Sequence, residues 1–130
     1  MDTTLYGAGL ASYPAGVHLH VGIYAVALRA ALKFVCADDG EPYGSLTVNV
    51  PEAELADDEI LVSADWVFPA DLKAALLATE KFVQTGRWTL VGHGRGEVWR
   101  IVDPTLLSQI AAARVVASRC NSSARTALAA

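Results

Sequence analysis

The chain is poor in cysteine, with Cys36 and Cys120 as its two thiols, and it holds no lysine or arginine from Asp38 to Asp71. The cysteines stand far apart without C-x-x-C or zinc-type spacing, which excludes a disulfide scaffold and a zinc module. Reduced thiols in a cytoplasmic protein are the expectation. No apolar run approaches the roughly 18 to 20 residues that cross a bilayer, so no membrane partner is expected. The opening MDTTLYGAGLASYPAG has an early acid and no basic stretch, and is not read as a secretion signal. The nucleophile signature G-x-S-x-G, the phosphate loop G-x-x-x-x-G-K-[ST] and the dinucleotide fingerprint G-x-G-x-x-G are all absent. No enzymatic activity and no cofactor are therefore expected.

What is present is an uneven charge. Asp38, Asp39, Glu41, Glu52, Glu54, Asp57, Asp58, Glu59, Asp65 and Asp71 fall in the stretch without bases. The other residues hold four acids and all ten bases, so the middle carries −10 and the remainder +6. Phosphate contact needs basic surface, so this middle repels nucleic acid. A field of one sign attracts a basic partner over about 8 Å and raises its rate of association. Solvated loops explain some of these acids; they explain less well the exclusion of every base.

At 130 residues the chain suits one domain, burying roughly two-thirds of its unfolded surface. Residues 1–16 hold four Gly or Pro and read as a loosely attached lead-in, 17–119 as the domain and 120–130 as a flexible tail. Val17 to Ile23 alternates apolar with His18, His20 and Gly22, the pattern of a half-buried strand. Leu28 to Cys36 alternates again, and Asp39-Gly40 supplies the positive φ of a hairpin turn. Tyr43 to Val50 is the expected partner strand, with Leu46, Val48 and Val50 inward, Thr47 and Asn49 outward, and Pro51 as its stop. A short strand over Glu59 to Ser63 and a helix over Ala70 to Thr79 follow, the latter led in by Asp65 to Pro69 and striped by Leu72, Leu76 and Leu77. Thr85-Gly86 reads as a break before strands at Arg87 to Val91 and Glu97 to Val102. Asp103 and Pro104 then cap a helix to about Ser118. The expected fold class is α+β: a mainly antiparallel sheet of about five or six strands with two helices on one face or end.

Several residues invite chemistry. His18 and His20 share a strand face and can ligate a metal if His93 joins them, but a solvated face accounts for them and no metal is assigned. The glycine run Gly92-His93-Gly94-Arg95-Gly96 suits a hairpin tip, or an anion cradle with Arg95. Asp57 and Asp58 lack the burial that catalytic carboxylates need. Trp66 reads as a packing staple ahead of the first helix. Trp88 and Trp99, near Arg87, Arg95 and Arg100, either fill the core, anchor a protein or stack on bases.

The stretch GEPYGSLTVNVPEAELADDEILV, with Thr85-Gly86-Arg87 and a closing VWRI, resembles a family of small proteins carried by phages, plasmids and integrated mobile elements, whose core reads G-E-P-Y-x-x-L-T-V-N-L-P. The match runs over about residues 24–102 and rests on Gly40, Glu41, Pro42, Tyr43, Leu46, Thr47, Val48, Asn49 and Pro51. The chain departs from it at Ser63 to Trp66, at Gly92 to Glu97 and in the helix after Asp103. The resemblance implies a mobile-element origin, and with it the inhibition of host defence, anti-CRISPR proteins included; it brings no catalytic residues. The expected role is a non-enzymatic inhibitor that binds the basic surface of a host protein or nuclease complex. Asp38, Asp39, Glu41, Glu52, Glu54, Asp57, Asp58 and Glu59 would steer it, and Tyr43, Trp88 and Trp99 would anchor it. The alternatives are a nucleic-acid module built on the Arg/Trp strands and a metal-dependent enzyme. The small-residue helix from Pro104 gives a face on which a copy can pack, so a homodimer is a further expectation.

Overall fold

The computed structural model describes residues 4–64, 67–91 and 94–129, with the side chains of the last helix described through Arg119. Asp65, Trp66 and His93, and the side chain of Cys120, lie outside the described residues. The protein is α+β, with two antiparallel sheets where the sequence pattern suggested one. The first sheet runs β1 (Leu5–Tyr6), β2 (Val17–Ile23), β3 (Ala30–Cys36) and β4 (Pro42–Ser45) in that spatial order. The second places β7 (Gly94–Ile101) between β5 (Glu59–Leu61) and β6 (Phe82–Val91). Helix α1 (Ala70–Ala78) joins β5 to β6, and α2 (Pro104–Ala129) follows β7.

Alternation builds the first sheet. Val17 and Leu19 on β2 and Leu32, Phe34 and Cys36 on β3 are buried, while His20 and Lys33 between them are exposed. Their pairing runs from Val17↔Cys36 to Ile23↔Ala30. The strand expected from Leu28 begins at Ala30, because Ala27 and Leu28 adopt positive φ in the preceding turn. The Asp-Gly hairpin forms as expected: Gly40 has φ 74°, and Cys36 and Glu41 close the turn through a 2.8 Å backbone bond. Two residues of the opening segment also take part in this sheet. Leu5 and Tyr6 pair with His18 and Val17, and Tyr6 is buried against Phe34.

The strand expected over Tyr43–Val50 ends at Ser45, and the chain there changes sheets. Leu46 N–H donates to the Leu32 carbonyl, while Thr47 bridges Val62 and Val48 N–H reaches Leu61. Thr47 is therefore buried at 3% exposure and not outward. Its hydroxyl accepts the buried Leu32 N–H at 3.1 Å, and its carbonyl accepts the Tyr24 and Ser45 hydroxyls. A buried donor needs such a partner, and this residue supplies it at the junction of both sheets.

The core draws on every layer. Leu32 and Phe34 from the first sheet, Ile60, Phe82, Trp99 and Ile101 from the second, Leu72 and Leu76 of α1, and Leu106 and Ile110 of α2 form one cluster. Asp103 caps α2 as expected, its carboxylate accepting the Leu106 N–H at 3.0 Å. Arg114 ties α2 down through the Leu28 carbonyl. The expected break at Thr85-Gly86 is instead a bulge inside β6: three residues, Thr85 to Arg87, face Val98 alone between the pairs Gln84↔Trp99 and Trp88↔Glu97. Gly86 makes it with φ 83°.

Replacing Thr47 by Val keeps the shape and removes the acceptor for Leu32. Urea unfolding should show a loss of roughly 1–3 kcal/mol, the cost of an orphaned buried amide. Thr47→Ser, which keeps the oxygen, should lose about 1 kcal/mol or less. Equal stability of Thr47→Val and the parent chain would contradict the junction's role.

Candidate functional site

Glu59 opens β5, opposite Arg100 on β7. Its place in the second sheet buries it to 5% exposure, which removes it from the exposed acids with which the sequence groups it. A carboxylate out of water must be paired. The bulge turns Arg87 onto Oε1 of Glu59, Arg100 Nη2 lies 3.5 Å from Oε2, and the Ala56 N–H donates to Oε1 at 2.9 Å. The Arg87 contact, first among these, holds the Glu59 carboxyl below its ordinary range. Arg100 also stands 3.6 Å from Asp58; both side chains are well exposed, so this contact is worth little.

The remaining acids separate in space. Asp38, Asp39 and Glu41 occupy the β3–β4 turn. Glu52 and Glu54 lie at the other end of β3, because Arg29, just ahead of that strand, binds the carbonyls of Val50, Pro51 and Ala53. Seven residues of strand place the groups roughly 23 Å apart, more than twice the screening length of about 8 Å. Acids continuous in sequence thus form two fields.

The first group is partly engaged within the chain. The Tyr13 hydroxyl donates to Asp38 at 2.5 Å, a bond that raises the Tyr13 pKa, and Asp39 accepts the Glu41 N–H at 3.0 Å. Tyr43 is half-buried, with the Tyr13 ring 5.2 Å away and Phe68 beneath it; burial raises its hydroxyl pKa. Ser12 anchors the same segment on Asp71 at 2.5 Å and lowers the Asp71 pKa. Reading residues 1–16 as loose overlooks Tyr13; its signal was an aromatic beside a Pro14–Gly16 turn. Cys36 is a buried free thiol, and its sulfur and the Asp38 and Asp39 carboxylates lie within 4.8 Å of one another.

The second group faces open surface. Glu52, Glu54 and Asp57 are exposed. Glu54 and Trp88 line a shared cleft of about 400 Å³ with Arg87 and Thr89. Trp88 is 50% and Leu90 69% exposed, two residues apart on β6. Trp99, by contrast, is 1% exposed and packs on Phe82, so its ring is core and offers no surface anchor. Its indole N–H donates to Glu97 at 3.1 Å. Arg95 lies over Trp88 at 4.2 Å. With Arg87 and Arg100 engaged by acids and Trp99 buried, the row of arginines and tryptophans read from the sequence is not assembled on one surface. His18 bonds the Thr4 carbonyl and His20 is exposed.

No family model, curated protein or solved structure matches the chain.

The buried carboxylate gives a signed pH dependence. Because the Glu59 pKa is depressed on folding, its contribution is full above the ordinary carboxylate value of 4.5 and is lost at lower pH. Glu59→Gln should cost roughly 1–3 kcal/mol at pH 7, less than a fully buried pair because both arginines are half in water. The penalty should shrink as pH falls below 4. Thermal melts of both chains across that range check it, and a penalty that is unchanged at pH 3 would contradict it.

Proposed function

We propose that the protein is a non-enzymatic binding protein that docks on a basic surface through the acidic loop of residues 52–57 and the neighbouring apolar ridge of Trp88 and Leu90. The observation that carries this reading is the juxtaposition of Glu54 with a half-exposed Trp88 in one cleft. Glu52, Glu54 and Asp57 form no salt bridge within the described residues, so their field is available to a partner. Aromatic anchors with a charged rim are the usual anatomy of a protein interface. Asp39 and Glu41 supply a second, separate field.

The resemblance of residues 40–51 to proteins of phages and mobile elements supports the finer part of the proposal. The partner is then a nuclease complex of host defence, whose nucleic-acid groove is lined with Lys and Arg, and the outcome is inhibition in the host cytoplasm, as by an anti-CRISPR protein. Covering such a groove requires negative charge and shape and no catalysis.

The test is inhibition of target-DNA cleavage by a panel of purified RNA-guided nucleases. One of them should be inhibited near stoichiometry. Glu52→Ser/Glu54→Ser/Asp57→Ser should slow association at least tenfold and flatten its dependence on salt, while Trp88→Ala should speed dissociation. Cleavage unaffected across the panel would remove the nuclease as partner. An unchanged association rate with an inhibited nuclease would remove the acidic loop as the steering element.

A further inference from the structure

A second cleft at Trp88, of about 580 Å³, is lined by Lys73 of α1 and by residues of β6 and β7. Its size is that of a small-molecule site, roughly 300–1,000 Å³. Its described lining carries Lys73, Arg87 and Arg95 against the single acid Glu97, a positive pocket on a chain of net charge −4. Glu97 is held to the wall by the Trp99 indole N–H, Arg87 by Glu59, and Lys73 donates to the Ser63 carbonyl. Arg95 differs from these. It makes no hydrogen bond or ion pair among the described residues; its guanidinium only lies over the Trp88 ring.

We propose that this cleft binds a small anion bearing an aromatic ring, with the oxyanion on Arg95 and the ring against Trp88. The guanidinium carbon lies 4.2 Å from the indole centroid, and its N–H donors have no acceptor among the described residues. Those donors form the planar fork that matches a phosphate or carboxylate. The contact with the ring restrains the side chain, so less freedom is lost when the anion arrives. The aromatic part of the ligand has a surface to meet in the half-exposed indole, and Gln84 lines the same cleft. Nucleoside monophosphates and aromatic carboxylates share this chemistry. The site shares Trp88 and Arg87 with the cleft at Glu54, but it uses neither Glu52, Glu54 nor Asp57 and needs no second protein.

The experiment titrates the full chain with adenosine monophosphate and, separately, indole-3-acetate, adenosine and inorganic phosphate, following the tryptophan indole and arginine side-chain NMR signals. At least one of the two aromatic anions should shift the Trp88 and Arg95 signals saturably, and which one does so distinguishes a nucleotide from a carboxylate ligand. Adenosine and phosphate alone should bind at least tenfold more weakly, and Arg95→Gln should weaken the aromatic anion at least tenfold. Should that variant lose its β-sheet dispersion, Arg95→Lys, which keeps the charge without the planar fork, carries the same comparison. The proposal is overturned by any of three results: no saturable shift with either aromatic anion at millimolar concentration, phosphate alone matching the aromatic anion, or a folded Arg95 variant that binds as tightly as the parent.

Discussion

A buried carboxylate organises this fold. Taking Glu59 out of water costs several kcal/mol unless cations and donors replace its hydration, and three separate segments converge to do so. The loop before β5 supplies the Ala56 N–H, the β6 bulge supplies Arg87, and β7 supplies Arg100. The bulge exists in the geometry that lets Arg87 turn back. It adds residues opposite Val98, with the Thr85 hydroxyl bonding the Val98 carbonyl at 2.7 Å. Beyond it the strand carries Trp88 and Leu90 out into water. The same ion pairs that close the second sheet thus set where its aromatic surface lies, and both clefts at Trp88 are bounded by the arginine that Glu59 holds.

That arrangement changes what the acidic middle of the chain does. In sequence it is one run of negative charge. In space, Glu59 is neutralised by the protein's own arginines, Asp38 accepts a bond from Tyr13, and the free acids split between the two ends of β3. A partner would meet a local field around residues 52–57, beside an exposed indole, and not a continuous belt. Arg87 and Arg100 are held by Glu59, while Arg95 lies over the Trp88 ring.

Alternating patterns made the first sheet legible in the sequence. Val17 to Ile23, Leu32 to Cys36 and the Asp39-Gly40 turn follow from period-2 burial and turn chemistry, and Asp103-Pro104 from capping. The division into two sheets was not legible. Its cause is a change of partner at Leu46 to Val48, where an apolar alternation continues unbroken while the hydrogen bonds move from β3 to β5. Thr47 looks outward in the pattern because a sequence period does not record which sheet a residue is leaving. Glu59 was expected at the start of a strand, where the pairing of β5 with β7 finds it, but grouped with the exposed acids, because the two arginines that pair with it lie far along the chain. Trp88 and Trp99 each have an arginine neighbour on a strand, yet Trp88 is half-exposed beyond the β6 bulge and Trp99 is core.

The side-chain NMR of the arginines examines the central ion pair most directly. With Glu59 buried between them, the Arg87 and Arg100 guanidinium signals should be resolved and exchange slowly with solvent at neutral pH, and they should collapse to free-arginine behaviour in Glu59→Gln. Averaged, fast-exchanging signals for Arg87 in the parent chain, no different from those of the variant, would contradict the account.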